Sequence, residues 1–134
     1  MTPRDVEMEL AAYLNAAGLG VSTSGNPPSL YAGPFPVDGP DRLVCVRFTG
    51  GDGGVYLGGG GVLEPECQVV VRGHRGAVTA ARELAVGCWA ALHLARVPGY
   101  VSVQCEGAGP VEQPPDDKQR PRFSFNVLAR YVAP

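Results

Sequence analysis

The sequence predicts an α+β domain in which two helices pack on one face of a mainly antiparallel or mixed β-sheet. Two helical patterns and several segments of alternating apolar and polar residues support this, in the order helix, strands, helix, strands. The chain has 134 residues, and 45% of them are apolar, which is enough for one folded core. We therefore expect a single domain over residues 1–134.

The first helix is expected at about residues 3–17. Thr2 can cap this helix, Pro3 suits its first turn, and Asp5 favours the positive end of the helix dipole. Gly18 favours the helix end. Apolar side chains recur between these signals at helical spacing, namely Val6, Leu10, Leu14 and Ala17.

Two strand signals and a glycine-rich segment follow in the first half of the chain. Residues 29–33 are expected to form a short strand. Residues 42–48 contain a β-rich run that is apolar on both faces, which is typical of a well-covered strand. Glycines dominate residues 50–61, and ordering them costs backbone entropy. We therefore expect a flexible loop or hairpin at about residues 49–62.

A half-buried strand and a long helix are expected in the middle of the chain. Cys67, Val69 and Val71 alternate with polar residues, as in a strand with one covered face. A turn then leads into a helix at about residues 77–96. The apolar stripe of this helix consists mostly of small residues, namely Val78, Ala81, Ala85, Cys88, Leu92 and Ala95.

The last third of the chain predicts two more strands separated by a polar loop. Residues 101–105 alternate between apolar and polar side chains, and residues 123–131 do so over a longer stretch. The intervening residues, about 107–121, are rich in proline and charge and are expected to form a long loop.

Composition and charge exclude several classes of protein. The formal net charge is -2, so no global basic field attracts the chain to nucleic acid. No stretch is long and apolar enough for a membrane span or a signal peptide, which indicates a soluble protein made in a cytoplasm. The four cysteines lie in apolar segments without metal-ligand spacing, and we expect them to be reduced and buried.

The sequence does not predict catalysis, a metal site or a cofactor. The glycine run lacks the lysine and helix start of a phosphate loop. His93 has no second ligand at helical spacing, and no serine stands in a nucleophile-elbow motif. Asp116 and Asp117 are adjacent in a loop, so they are not held as an acid/base pair. An enzyme or a ligand-binding domain would need a converging polar cluster, which is the alternative hypothesis of another class.

Two segments carry a resemblance to a known family. Residues 65–73 (PECQVVVRG) and residues 116–127 (DDKQRPRFSFNV) resemble the central and final strands of bacteriophage tail-terminator, or tail-completion (minor capsid), proteins. The middle strand leads directly into an alanine-rich helix, as in that family. The glycine-rich insert at residues 50–61 departs from the family pattern.

The resemblance implies a structural virion protein at the tail end or neck of the particle, assembled in the cytoplasm of a bacterial host. Copies of such a protein form a ring, typically a hexamer, that caps the tail tube and joins it to the head. The implied partners are other copies of the chain, the major tail tube protein and a head-tail connector of the neck. DNA passes through such a ring without sequence-specific contacts, and no membrane takes part.

Charged residues near the two motifs are the candidate interface with a neighbouring subunit or the tube. A subunit of a closed ring needs two different complementary surfaces, and opposite charges would guide their register. The alternative within the same particle is a head-completion or adaptor protein of the neck. The candidate interface residues are Arg72, His74, Arg75, Asp116, Asp117, Arg120, Arg122 and Arg130.

Overall fold

The computed structural model describes residues 3–36, 39–53 and 61–133. The elements follow the predicted order of a helix, strands, a second helix and more strands. The elements are α1 (Val6–Ala16), β1 (Leu30–Ala32), β2 (Leu43–Asp52), β3 (Gly61–Arg72), α2 (Val78–Leu92), β4 (Ser102–Cys105), β5 (Val111–Gln113) and β6 (Arg122–Ala133).

The described strands form one mixed sheet in the order β1-β2-β3-β6-β4, with β5 also paired to β6. β1 runs parallel to β2, whereas the other pairs are antiparallel. The predicted α+β class with a mixed sheet is therefore confirmed.

The two long strands β3 and β6 form the centre of the sheet. Their pairing extends from Gly61 opposite Ala133 to Arg72 opposite Arg122. The two sequence motifs are thereby brought side by side, and Gln68 of the first lies opposite Asn126 of the second. Both strands have paired neighbours on each side, β2 and β6 for β3, and β3, β4 and β5 for β6.

Both helices share one hydrophobic cluster with alternate residues of the central strands. α1 contacts β1 and β2, α2 contacts β6, β3 and β4, and the two helices contact each other. Successive strand residues point to opposite faces, so the cluster defines the helix-covered face of the sheet. Its strand residues include Val44, Val46, Cys67, Val69, Val71, Phe123, Phe125 and Val127.

The start of α1 differs from the prediction. The helix begins at Val6, and Asp5 is its N-cap, with Oδ1 accepting a hydrogen bond of 3.2 Å from the backbone N–H of Met8. A carboxylate here satisfies an otherwise unpaired N–H and complements the helix dipole. Thr2, the predicted cap, lies outside the described residues. Ala17 follows the helix and is exposed, whereas Ala11 is buried in the core.

α2 is shorter than predicted because its backbone changes direction at His93. The helix ends at Leu92, His93 has an extended backbone, and Leu94 has a left-handed φ of 57°. The imidazole Nδ1 of His93 accepts a hydrogen bond of 3.1 Å from the backbone N–H of Cys105. The buried face of α2 also differs from the predicted apolar stripe. Leu84, which was not part of that stripe, is buried, whereas Val78, which was, is 36% exposed.

The strands extend into the predicted glycine-rich loop from both sides. Gly50–Asp52 continue β2, and Gly61 begins β3. Gly51 has a φ of 114°, and a Cβ at this position would overlap the carbonyl oxygen of Glu64 on the adjacent strand. The remainder of the predicted loop, residues 54–60, lies outside the described residues.

The polar segment at residues 107–121 includes the short strand β5, which pairs with the start of β6. Proline and acidic residues around β5 gave a loop pattern, but backbone pairing to β6 imposes a strand. No helix within residues 3–36, 39–53 and 61–133 is long and apolar enough to cross a membrane.

Candidate functional site

The eight candidate interface residues do not form one surface. Seven of them lie at one corner of the molecule, where β3 ends and β6 begins. Arg130 lies near the other end of β6, and its Nη2 is 2.7 Å from Oε1 of Glu64 on β3. At about 3.3 Å per residue, roughly 26 Å separate Arg130 from Arg122 along the strand. Arg130 therefore belongs to a different part of the sheet.

Arg72 is buried at this corner, on the face of the sheet opposite the helices. Only 6% of the residue is exposed. Its Nε and Nη2 donate hydrogen bonds to the backbone oxygens of Asp41 (3.0 Å) and Pro40 (2.8 Å). The guanidinium also lies over the ring of Phe35, 5.1 Å from its centroid. Arg72 thus links the end of β3 to the proline-rich segment before β2 through hydrogen bonds.

Arg120 joins that segment to the loop before β6. Its Nε lies 2.7 Å from Oδ2 of Asp116, and its Nη1 lies 3.0 Å from Oδ1 of Asp41. The side chains of Arg120 and Asp116 are each 12% exposed, so this part of the network is well shielded from water. Oδ2 of Asp41 in turn lies 3.6 Å from Nδ1 of His74.

The two carboxylates of this network are held in their charged form. The hydrogen bond from Arg120 lowers the pKa of Asp41 below its ordinary value, against the opposing effect of burial. Burial acts to raise the pKa of Asp116, but hydrogen bonds from the backbone and side chain of Arg120 outweigh it and leave that pKa lowered. Both pKa shifts follow from pairing with Arg120, whose Nε and Nη1 are bonded within the chain.

The other charged residues of the corner are more exposed than Arg72. His74, Arg75, Lys118 and Asp117 are exposed, and Arg122 is half-buried with its Nε and Nη2 on the backbone oxygen of Pro114. Arg82 of α2 lies over the ring of Phe123, 5.7 Å from its centroid. We call His74, Arg75, Arg82, Lys118 and Arg122 the basic corner.

The sequence analysis placed both kinds of residue in one candidate interface, but the structure separates them by role. Arg72, Asp116 and Arg120 hold two loops against the sheet through bonds within the chain. His74 and Arg75 lie in the turn before α2 with exposed side chains. At this corner, His74, Arg75 and Asp117 are therefore the exposed members of the candidate set, and Arg130 is exposed at the other end of β6.

An apolar groove at the opposite end of the sheet was not predicted. It has a volume of about 240 Å³ and lies between the start of α1 and the hairpin of β2 and β3. Phe48 lines it and is 55% exposed, which is unusual for a phenylalanine. Its lining includes the apolar side chains of Val6, Phe48, Leu63, Pro65 and Tyr131 and the charged side chains of Arg4 and Asp52.

One carboxylate, that of Asp52, lines this groove, and two more lie on either side of its lining residue Val6 in the sequence. Asp5 and Glu7 begin α1 beside it, and Oε2 of Glu7 accepts a hydrogen bond of 2.7 Å from the backbone N–H of Phe48. The cation of Arg4 is paired with Glu9, with Nε 3.0 Å from Oε2. Burial raises the pKa of the nearby Cys67 to about 12, and the negative charges of Glu7, Glu66 and Asp5 contribute to the increase.

The groups that could support catalysis or bind metal are dispersed among the described residues. In that part of the chain, no three His, Cys, Asp or Glu side chains lie together in a metal-binding arrangement. All four cysteines are buried with free thiols, and burial raises the pKa of each to about 12. His93 is stacked on Trp89 with ring centroids 4.4 Å apart.

Comparison with known proteins gives a likeness in fold. The sequence matches no protein-family model, and a search among curated proteins gives no match. Among solved structures, the chain is similar to one in the virion of a native gene transfer agent particle. The two share 16% sequence identity with a TM-score of 0.64, and the likeness covers 96% of this chain and 95% of that one. The architecture of the whole domain is therefore shared with a component of that particle.

Proposed function

We propose that this protein is a structural, non-enzymatic component of a phage-like virion, and specifically a tail terminator. In this role its copies form a hexameric ring that caps the tail tube and joins it to the head or neck. The observation that carries the proposal is the end-to-end likeness in fold to a chain of the gene transfer agent virion. Because that likeness spans nearly all of both chains, it concerns the overall fold and not an isolated motif.

The position of the two family-like motifs supports the same role. They form β3 and β6, the adjacent central strands of the sheet, with Gln68 opposite Asn126. Residues that are distant in sequence but match one family pattern are thus joined in one structural unit. The two ends of this unit differ, since one end has the basic corner and the other has the apolar groove. Such asymmetry suits a heterologous contact, in which one surface of a subunit meets a different surface of the next.

The hydrogen bonds of Arg72 and Arg120 also suit a subunit that must present a fixed surface. Arg72 and Arg120 hold the segment before β2 and the loop before β6 against the sheet. Networks that satisfy all their buried charges restrict conformational freedom. A ring that stops a growing tube needs such a fixed surface, because a variable one would not repeat its register around the symmetry axis.

Tail length and tail joining test this proposal directly. The gene would be deleted from a strain that makes the particle, and tails would be examined by electron microscopy. We expect overlong tubes that lack heads, with normal tails restored when the protein is supplied in trans. Tubes of normal length that fail to join heads would overturn termination in favour of a neck connector. Normal particles would overturn both roles.

A further inference from the structure

A second groove, with a volume of about 560 Å³, lies beside the network of ion pairs at the corner. Three segments that are distant from one another in sequence line it together with the end of β3. We call it the proline-lined groove, because three prolines form part of its wall. Its charged lining side chains are three cations and one carboxylate, namely Arg72, Lys118, Arg120 and Asp41.

The carboxylates at this groove do not neutralise all of its cations. Oδ1 of Asp41 lies 3.0 Å from Nη1 of Arg120. The same arginine is also paired with Asp116, whose Oδ2 lies 2.7 Å from Nε. Two carboxylates are therefore directed at one of the three lining cations, and the positive charge of the groove exceeds the negative charge.

Arg72 and Lys118 carry this excess charge. Among the residues that the structure describes, neither of them forms an ion pair. Lys118 is exposed, and it is its backbone N–H that bonds to Asp116. Arg72 is only 6% exposed, and its Nε and Nη2 donate to backbone oxygens. These bonds satisfy two nitrogens of a buried guanidinium that has no carboxylate bonded to it.

Two guanidinium nitrogens at the groove retain contact with solvent. Nη1 of Arg72 and Nη2 of Arg120 have no hydrogen bond within the described part of the chain. In that part, the side-chain nitrogens and oxygens that are both buried and unbonded belong to Trp89 and Tyr100. Water therefore reaches both arginine nitrogens. Together with Nζ of Lys118, they are donors that a ligand in the groove can use.

The donors and the wall of the groove fit a carboxylate side chain. A carboxylate has two oxygens that accept hydrogen bonds from guanidinium and ammonium groups, and charge strengthens these bonds. Pro27, Pro36 and Pro40 add apolar surface beside the cations and offer no backbone N–H. They suit the aliphatic stem of an acidic side chain better than a phosphate group, which commonly accepts bonds from backbone N–H groups.

The charges around the groove argue against DNA as its ligand. Binding to the DNA backbone requires cations that neutralise several phosphates along a track. The proline-lined groove offers one site, and the exposed Asp117 precedes Lys118 in the sequence. The net charge of -2 adds no attraction for a polyanion at longer range. A single carboxylate is therefore the anion that the groove fits best.

We propose that the proline-lined groove binds a glutamate or aspartate side chain of another protein. The carboxylate accepts hydrogen bonds from Nζ of Lys118, Nη1 of Arg72 and Nη2 of Arg120, and its stem packs against the prolines. Bonds within the chain already hold both arginines, so binding costs little ordering of their side chains. The site lies within a single chain and does not depend on the terminator role.

An NMR titration of the isotope-labelled chain with the peptide acetyl-Glu-Glu-Glu-amide tests this site. We expect saturable shifts of the Nε–H signals of Arg72 and Arg120 and of the backbone N–H signal of Lys118. The neutral peptide acetyl-Gln-Gln-Gln-amide should leave these signals unchanged. Inorganic phosphate and a DNA duplex are titrated in the same way. Tighter binding of either one at these signals would overturn the assignment to a carboxylate side chain.

Variants at Lys118 separate the groove from the net charge of the chain. Lys118→Gln should weaken binding of the acidic peptide about threefold to tenfold, because one of the three donors is lost. Lys118→Arg keeps the charge and should bind within about twofold of the wild type. Arg96→Gln removes the same charge from an exposed position outside the groove and should bind as the wild type does. Circular dichroism verifies that each variant is folded.

Two results would overturn the site. One is the absence of saturable shifts at the groove signals with the acidic peptide at about 50 mM. The other is equal weakening by Lys118→Gln and Arg96→Gln, which would show attraction by net charge alone. Neither result concerns tail length, so the deletion experiment decides the terminator role separately.

Discussion

Arg120 and Asp41 are 79 positions apart in the sequence, yet Nη1 of the arginine lies 3.0 Å from Oδ1 of the aspartate. The same guanidinium is bonded to Asp116 through Nε. One side chain thus joins the loop before β6 to the segment before β2. The sheet brings these loops together because β2 and β6 both pair with β3.

Replacing Arg120 by alanine should destabilise the fold by about 1–3 kcal/mol. The reason is the loss of the shielded bond to Asp116, which leaves that carboxylate without its cation. The bond to Asp41 is half exposed and contributes less because water screens it. Urea unfolding followed by circular dichroism measures the change in the free energy of unfolding.

Arg96→Ala is the matched control for this experiment. Arg96 is exposed in the loop after α2, so its replacement should change stability by no more than about 0.5 kcal/mol. Equal effects of the two substitutions would show that Arg120 does not join the loops in solution.

The lowered pKa of Asp116 predicts a pH-dependent contribution to stability. A carboxyl group whose pKa is lower in the folded state stabilises the fold above its unfolded pKa and loses this effect as the pH falls through the folded value. The ordinary value is 3.8, so the contribution should be complete at pH 7 and decline below pH 3.8. The stability difference between wild type and Asp116→Asn should decline in the same range.

Asp117→Asn provides the control, since Asp117 is the exposed neighbour in the same loop. Its effect on the free energy of unfolding should be small and should change little with pH. A difference for Asp116→Asn that stays constant from pH 7 to below pH 3.8 would contradict the charged pairing with Arg120.

The strand pattern could be predicted from sequence, because a half-covered sheet imposes alternation on its residues. Residues 123–131 show that pattern clearly, and β6 includes all of them. The ends of the helices were predicted less well. Asp5 is the N-cap of α1, and α2 ends at Leu92, where the next residue, His93, bonds to Cys105, a partner outside the helix. Such partners are visible only once the chain has folded.

The burial of the charged candidate residues could not be predicted from sequence either. Sequence identified the residue types at the corner, but it could not separate the buried Arg72 from the exposed Arg75, only three positions away. The apolar groove could not be predicted because its walls come from α1, β2, β3 and β6. The exposed Phe48 was the available signal, and in sequence it looked like the end of a covered strand.

The cysteines should be unreactive in the folded protein. All four are buried, and burial raises the pKa of each thiol to about 12, so almost no thiolate is present at pH 8. We expect negligible reaction with Ellman's reagent until guanidinium unfolds the chain, when four thiols react.

Thr79→Cys provides the positive control, because Thr79 is exposed on α2. This variant should titrate one fast thiol in the folded state and five after unfolding, one more than the four of the wild type. Rapid modification of the native cysteines would show that the core opens far more often than its packing indicates.

Replacing Gly51 by alanine should destabilise the β2–β3 hairpin by more than about 2 kcal/mol. The backbone φ of 114° disfavours any side chain, and the added Cβ would meet the carbonyl oxygen of Glu64. Gly107→Ala is the control, since that position has a φ of 75° but no described atom within 4 Å of the added Cβ. Its cost should be limited to about 1–2 kcal/mol of backbone strain. Equal losses in urea unfolding would show that the overlap at Gly51 is relieved by movement of β3.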